Sequence, residues 1–139
     1  MQLVQIPPDA APKVWPIAAQ MLAPAIERSN GYTSASKELS QVVNLQKQLW
    51  MVLVDDGGKN KAVAAGITSL QPNEDGTTTA NIEYFGGENM NQWFVLKDVF
   101  EQWAKDNGCS DIRFWARKAW VKKLKDYDLT HYIMRKVLT

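Results

Sequence analysis

Two hydrophobic periods alternate along this chain. Leu3-Val4-Gln5-Ile6 is a short apolar strand segment, stopped by Pro7-Pro8. From Val14, the apolar residues Ile17, Ala18, Met21, Leu22, Ala25 and Ile26 recur at helical spacing. Pro16 lies near the helix start, where a proline is tolerated, whereas Pro24 should kink or end the last turn. Asn30-Gly31 closes the segment. Ser34 or Ser36 caps a second helix, in which Leu39, Val42, Val43 and Gln46 share a face. Leu49–Val54 is an unbroken apolar run of strand length, the pattern of a strand covered on both faces.

Polar turns then divide the chain into short strands. Asp55-Asp56-Gly57-Gly58 leads into Ala62–Leu70, and Pro72-Asn73-Glu74-Asp75-Gly76 leads into Thr77–Phe85, which together predict an antiparallel meander. Gly86-Gly87 breaks the pattern. A helix from about Asn91 places Trp93, Leu96, Phe100, Trp103 and Ala104 on one face and stops at Asn107-Gly108. The next strand, Ile112–Ala116, returns through a right-handed βαβ crossover. A short helix with Trp120, Leu124 and Tyr127 on one side follows, and His131–Leu138 is the last strand. The prediction is one α/β (α+β) domain over residues 1–139. Its mixed, mostly antiparallel sheet has about six strands, with helices on both faces.

Composition narrows the function classes. The chain has 139 residues, 45% apolar and 22% charged, which suits one globular domain. A net charge of +1 gives no electrostatic case for nucleic acid or an anionic membrane as partner. No apolar run reaches the roughly 18–20 residues of a membrane helix, and Met1–Pro8 lacks the features of a signal peptide. The expected location is therefore the cytoplasm, or a particle assembled there. The lone Cys109 cannot form an internal disulfide, and no spacing of His, Cys, Asp or Glu suggests a metal site.

Few residues announce chemistry by themselves. His131, the only histidine, reads as a residue at the sheet edge, and no serine sits in a nucleophile elbow. Arg113, Arg117, Lys118, Lys122, Lys123 and Lys125 form the one basic concentration. Most of it reads as the solvated face of a short helix, Arg117 excepted, because it stands where strand becomes helix. Of the six tryptophans, Trp50, Trp93 and Trp103 fall on buried stripes. Trp15 and Trp115 are less obliged to be internal, and together on the surface they would mark an interface.

The element order, strand, two helices, meander, long helix, strand, short helix, strand, resembles the GNAT (acetyl-CoA-dependent N-acetyltransferase-like) fold across the whole chain. The C-terminal half resembles small GNAT-like proteins of tailed bacteriophages. That likeness is carried by Phe85-Gly86-Gly87 leading into Asn91-Gln92-Trp93, by Glu101–Cys109, and by Trp120–Tyr127.

The resemblance implies an acetyl-CoA site and an amine acceptor. Tyr84, Phe85, Gly86, Gly87, Asn89 and Asn91 would line the coenzyme, where a helix N-terminus favours a diphosphate, and Arg117 would face a phosphate. It also implies Glu83 as the base that takes the acceptor's proton and a tyrosine acid in the short last helix. The pattern departs in two places. Glycines come early, with Glu88 after them, and Leu124 falls at the tyrosine position, leaving Tyr127 for that role in a shifted register. On strand alternation alone, Glu83 is an exposed residue between Ile82 and Tyr84. The functions that follow are an acetyl-CoA-dependent N-acyltransferase or a non-catalytic phage virion or assembly protein. A factor that binds a host protein is a third reading.

Overall fold

A computed structural model of the chain describes residues 1–88 and 96–139, with the backbone only at 118 and 119. The elements are β1 (Gln2–Ile6), α1 (Ala11–Glu27), α2 (Ala35–Val43), β2 (Gln48–Asp56), β3 (Lys59–Pro72), β4 (Thr78–Gly87), α3 (Lys97–Asp106), β5 (Asp111–Phe114) and the single turn α4 (Lys118–Val121). The strands stand side by side in chain order. β1 to β4 are antiparallel neighbours, and β5 joins β4 in parallel after the α3 crossover. The meander therefore forms as the sequence predicts, and β5 returns parallel to β4 as a βαβ unit requires.

Helices cover both faces. On one, Ala11, Trp15, Ala18 and Leu22 of α1 and Val42 of α2 pack on Leu49, Met51, Ala65 and Ile67. On the other, Phe100 of α3 packs with Trp50 and Ile82, flanked by Trp103, Ile112 and Phe114. Neighbouring residues of β2 thus enter opposite cores, which is why that strand carries no polar alternation. Trp50 anchors the α3 side: its Nε1 donates to Thr68 Oγ1 at 2.9 Å, and its ring meets Phe100 and Trp103 edge-on.

Several predicted boundaries move. α1 continues through Pro24 to Glu27, because both internal prolines lie on its exposed side, where freed carbonyls meet water. Ser34 is the cap of α2, its hydroxyl accepting from the Lys37 N–H at 3.2 Å. That helix stops at Val43, short of Gln46, as the chain turns through Leu45 at φ 64°. Trp15 is buried while Trp115 is half exposed, so the two share no surface patch. Trp93 lies outside the described residues.

The largest correction is at the C-terminus. Residues 128–139 form no strand and are exposed throughout, so the sheet has five strands among the described residues rather than about six. The alternation of His131–Leu138 is compatible with a strand, but β propensity expresses itself only where a neighbour supplies a ladder and a surface to pack on. His131 accordingly sits on no sheet edge; its Nδ1 lies 2.7 Å from Thr130 Oγ1.

Candidate functional site

A break in strand register builds the site. Tyr84 pairs with Ile67 and Ile82 with Thr68, so Glu83 is the extra residue of a bulge in β4. In an unbroken strand Ile82 and Tyr84 would share a face. Here Ile82 enters the α3 core while Tyr84 packs on the α1 side. The bulge turns Glu83 inward, and it is buried rather than exposed as alternation suggested.

Glu83 meets Lys47, which no sequence pattern singles out, and through it is linked to Glu38. Lys47, in the connection from α2 to β2, puts Nζ 2.7 Å from Glu83 Oε1 and 2.8 Å from Glu38 Oε1. The remaining carboxylate oxygens accept from hydroxyls: Thr33 donates to Glu38 Oε2 and Ser69 to Glu83 Oε2. Burial disfavours the Lys47 ammonium, but hydrogen bonds and charge from Glu38 and Glu83 outweigh it and hold the pKa above its ordinary value. A buried ion triad of this kind is stable only because each charge is also hydrogen-bonded.

Around the triad lies a cleft of about 200 Å³. Glu38, Glu83 and Gln41 line its interior, while the more exposed Tyr32 and Trp115 stand toward solvent. The Lys47 ammonium sits 5.8 Å from the Tyr84 ring centroid, and Trp115 meets the same ring edge-on at 6.1 Å. Burial, then the charges of Glu38 and Glu83, push the Tyr84 phenol up to about 12, so it stays protonated at neutral pH. Gln41 Oε1 is the one buried side-chain oxygen or nitrogen among the described residues without a hydrogen-bond partner.

The cleft opens where two strands stop running together. The β4–β5 ladder runs from Thr79↔Asp111 to Ile82↔Phe114, and the Trp115 N–H adds one bond to the Ile82 carbonyl. β4 continues five residues further, to Gly87.

The other sequence-predicted residues distribute as follows. Gly86 is pressed against α1, where a Cβ would run into the Met21 carbonyl, and Gly87 against the Val63 carbonyl and Ala64. Both glycines thus have a packing reason that involves no phosphate. The Phe85 ring belongs to the α3 core, edge-on to Phe100 at 6.0 Å. Arg117 is exposed at the start of α4. Burial and the nearby Arg117 charge together lower the pKa of Arg28. Asn89 and Asn91 lie outside the described residues. Tyr127 packs on the α3 side, its hydroxyl donating to Glu101 Oε2 at 2.6 Å and its ring edge-on to Phe114. Burial and the bond to Glu101 hold that phenol's pKa well above its usual value. The structure therefore brings Glu83 and Tyr84 together but not Glu83 and Tyr127.

Glu38, missed at the sequence level, had one signal: it precedes Val42 by four residues and so shares the apolar stripe of α2. Burial, then Asp111, raises the pKa of the Cys109 thiol, away from the reactive thiolate. Among the described residues no three of His, Cys, Asp and Glu gather as metal ligands, and no helix is long and apolar enough to cross a membrane.

No family model matches the chain, and no curated protein matches it. Solved structures do. A ribosomal-protein-alanine N-acetyltransferase from Brucella melitensis biovar Abortus 2308 superposes with a TM-score of 0.65 at 12% identity, covering 98% of this chain and 100% of that one. An aminoglycoside acetyltransferase from an uncultured soil metagenomic sample, solved with trehalose, gives 0.70 at 13% identity over 99% and 96%. An acetyltransferase of Trypanosoma brucei gives 0.63 at 12% identity over 99% of both chains. The fold is GNAT-like. At these identities the likeness is one of architecture: the GNAT-like sheet and crossover are shared, while the triad of Glu38, Lys47 and Glu83 is read from this chain alone.

Proposed function

We propose that this protein is an acyl-CoA-dependent N-acyltransferase in which Glu83 takes the proton of an amine acceptor. One observation carries the reading: a bulge aims a buried carboxylate into an open cleft at the point where the β4–β5 ladder ends. Acetyl-CoA would supply the acyl group as a thioester. Tyr84, Phe85, Gly86 and Gly87 follow Glu83 along β4 and would flank its pantetheine arm. Asn89, Asn91 and Arg117 would lie toward the diphosphate.

Glu83, directly or through one water, receives the proton that the amine nitrogen gives up as its bond to the acyl carbon forms. Tyr127 would not serve as the acid for the leaving thiolate, because its hydroxyl donates to Glu101. Tyr84 and Trp115 line the cleft beside Glu83, with Trp115 on its solvent side.

Calorimetric titration with acetyl-CoA and CoA tests the reading. Micromolar binding, about −8 kcal/mol, that weakens in Arg117→Ala and leads to thiol release on adding an amine is the expected result. No heat up to millimolar ligand ends the acyltransferase reading. Gly87 is unsuitable for this test, since any side chain there collides with β3 before it reaches a ligand.

The exposed tail favours a second reading, a non-catalytic tailed-phage virion or assembly protein with a phage or host protein as partner. Tyr132, Ile133, Met134, Val137 and Leu138 are all exposed, a run of apolar surface a partner would cover. In that case the protein co-purifies with particles made in the host cytoplasm, and deleting the tail abolishes its incorporation.

A further inference from the structure

The cleft already contains an ammonium group, and it is the protein's own. Lys47 Nζ is bracketed by one oxygen of Glu38 and one of Glu83, at 2.8 and 2.7 Å, over the face of Tyr84. The hydroxyls of Thr33 and Ser69 direct their protons to the same two carboxylates. What the site has left to offer is therefore acceptor capacity. Each carboxylate oxygen has a second lone pair, and the buried Gln41 Oε1 on the cleft lining has no partner among the described residues. Two carboxylates and an amide oxygen suit the three N–H donors of a primary ammonium. A quaternary ammonium has none, and a planar guanidinium carries its donors in a flat fork.

We infer that Glu38 and Glu83 form a binding site for a primary ammonium group, that Lys47 fills it in the resting protein, and that the acceptor amine enters by exchanging with Lys47. The exchange rests on the acyltransferase reading; the ammonium site and its occupation by Lys47 do not. Exchange is physically easier than simple departure. Moving Lys47 away alone would strand two buried carboxylates, whereas replacing one ammonium by another leaves neither bare. The lysine stem allows it. The Lys47 backbone is fixed by its N–H bond to the Gln41 carbonyl at 3.2 Å, while its side chain has four rotatable carbons lying along an open cleft. Lys47 is thus an intramolecular competitor of the acceptor and sets which amines can enter.

Lys47→Ala tests this directly, because it deletes the equivalent of n-propylammonium. Propylammonium should raise the melting temperature of Lys47→Ala saturably, beyond a sodium chloride control, while tetramethylammonium and guanidinium should not. The wild-type protein should show no such rise. With acetyl-CoA present, the KM for propylamine should be about tenfold or more lower in Lys47→Ala than in wild type, since the competing group is gone.

Absence of stabilisation by propylammonium overturns the site. Stabilisation with an unchanged KM overturns the exchange. Saturable stabilisation with no acyl transfer from either protein supports the ammonium site and removes the acyltransferase reading instead. Should Lys47→Ala not fold unaided, its refolding yield with propylammonium against tetramethylammonium decides the site in the same way. Lys47→Gln, which keeps a donor toward the carboxylates, then serves for the KM comparison.

Discussion

Lys47 Nζ lies 2.7 Å from Glu83 Oε1, an ion pair between residues 36 apart in the sequence. Two local irregularities make it. Leu45, at φ 64°, turns the chain out of α2 so that Lys47 arrives beside the sheet. The β4 bulge rotates Glu83 onto the face where α2 packs. Neither feature stabilises the fold by itself, and each is a cost of the kind that gathers where a side chain must be re-aimed.

The first expectation follows from that geometry. Glu83→Gln keeps an oxygen for Lys47 and a polar atom for Ser69 but removes the base. Acyl transfer should fall by about 10²–10⁴-fold. Replacing a charged by a neutral hydrogen-bond acceptor should cost about 1.5–3 kcal/mol of stability. Single-turnover kinetics and a urea melt separate the two effects, and full activity in a folded Glu83→Gln protein would remove Glu83 from the mechanism.

Alkaline pH probes Lys47. Its folded pKa is raised above the unfolded value of 10.5, so the folded state binds the proton more tightly. The associated stability is fully present below about pH 10.5 and is lost as pH rises through the folded pKa. Urea midpoints between pH 9 and 12 should therefore fall more steeply for wild type than for Lys47→Met. Parallel curves would mean that the triad does not hold the proton.

Most of the architecture was legible in the sequence, because it follows from patterns the chain displays locally. The apolar run at Leu49–Val54, the Gly- and Asn-rich turns and the stripe of α1 each specify an element without reference to the rest. The site was legible only at Glu83 and Tyr84, through a family likeness, and alternation placed the Glu83 side chain in solvent. The bulge that buries it is a property of the β3–β4 register, which no single strand encodes. Lys47 lies in a connection with no periodicity, and its partner Glu38 resembles any charged helix residue until its spacing to Val42 is noticed. The final strand failed for the opposite reason: His131–Leu138 carries a local preference, and the fold gives it no ladder to join.

Gly86 separates packing from coenzyme recognition. Gly86→Ala would drive a methyl group into the Met21 carbonyl of α1. The expected cost is about 1–3 kcal/mol, as for other overpacked interiors, measurable by denaturant melt without any ligand. If the variant is instead as stable as wild type and loses only acetyl-CoA binding, the glycine serves the ligand rather than the helix.

Trp50 tests how far the α3 face depends on one side chain. It is only 5% exposed, donates to Thr68 and meets two aromatic rings edge-on. Trp50→Ala should cost about 3–5 kcal/mol. Trp50→Phe should cost less, because it keeps much of the packing but leaves the Thr68 hydroxyl without its indole donor. Equal losses for the two would place the energy in the hydrogen bond rather than the rings.

Deleting residues 129–139 asks whether the tail belongs to the folded domain. None of those side chains is buried, and Tyr127, which ties the segment to Glu101 and Phe114, is retained. Surface residues that bury nothing contribute within about 0.5 kcal/mol, so the urea midpoint should hold. The slope should hold as well, since it follows the area exposed on unfolding, and the tail is exposed in both states. The change should appear in association instead. Removing Leu129, Ile133, Met134 and Leu138 takes away apolar surface, and retention on a hydrophobic column should drop. A large fall in the midpoint would mean that the tail packs against the domain in solution, with the β5 edge the first place to look for it.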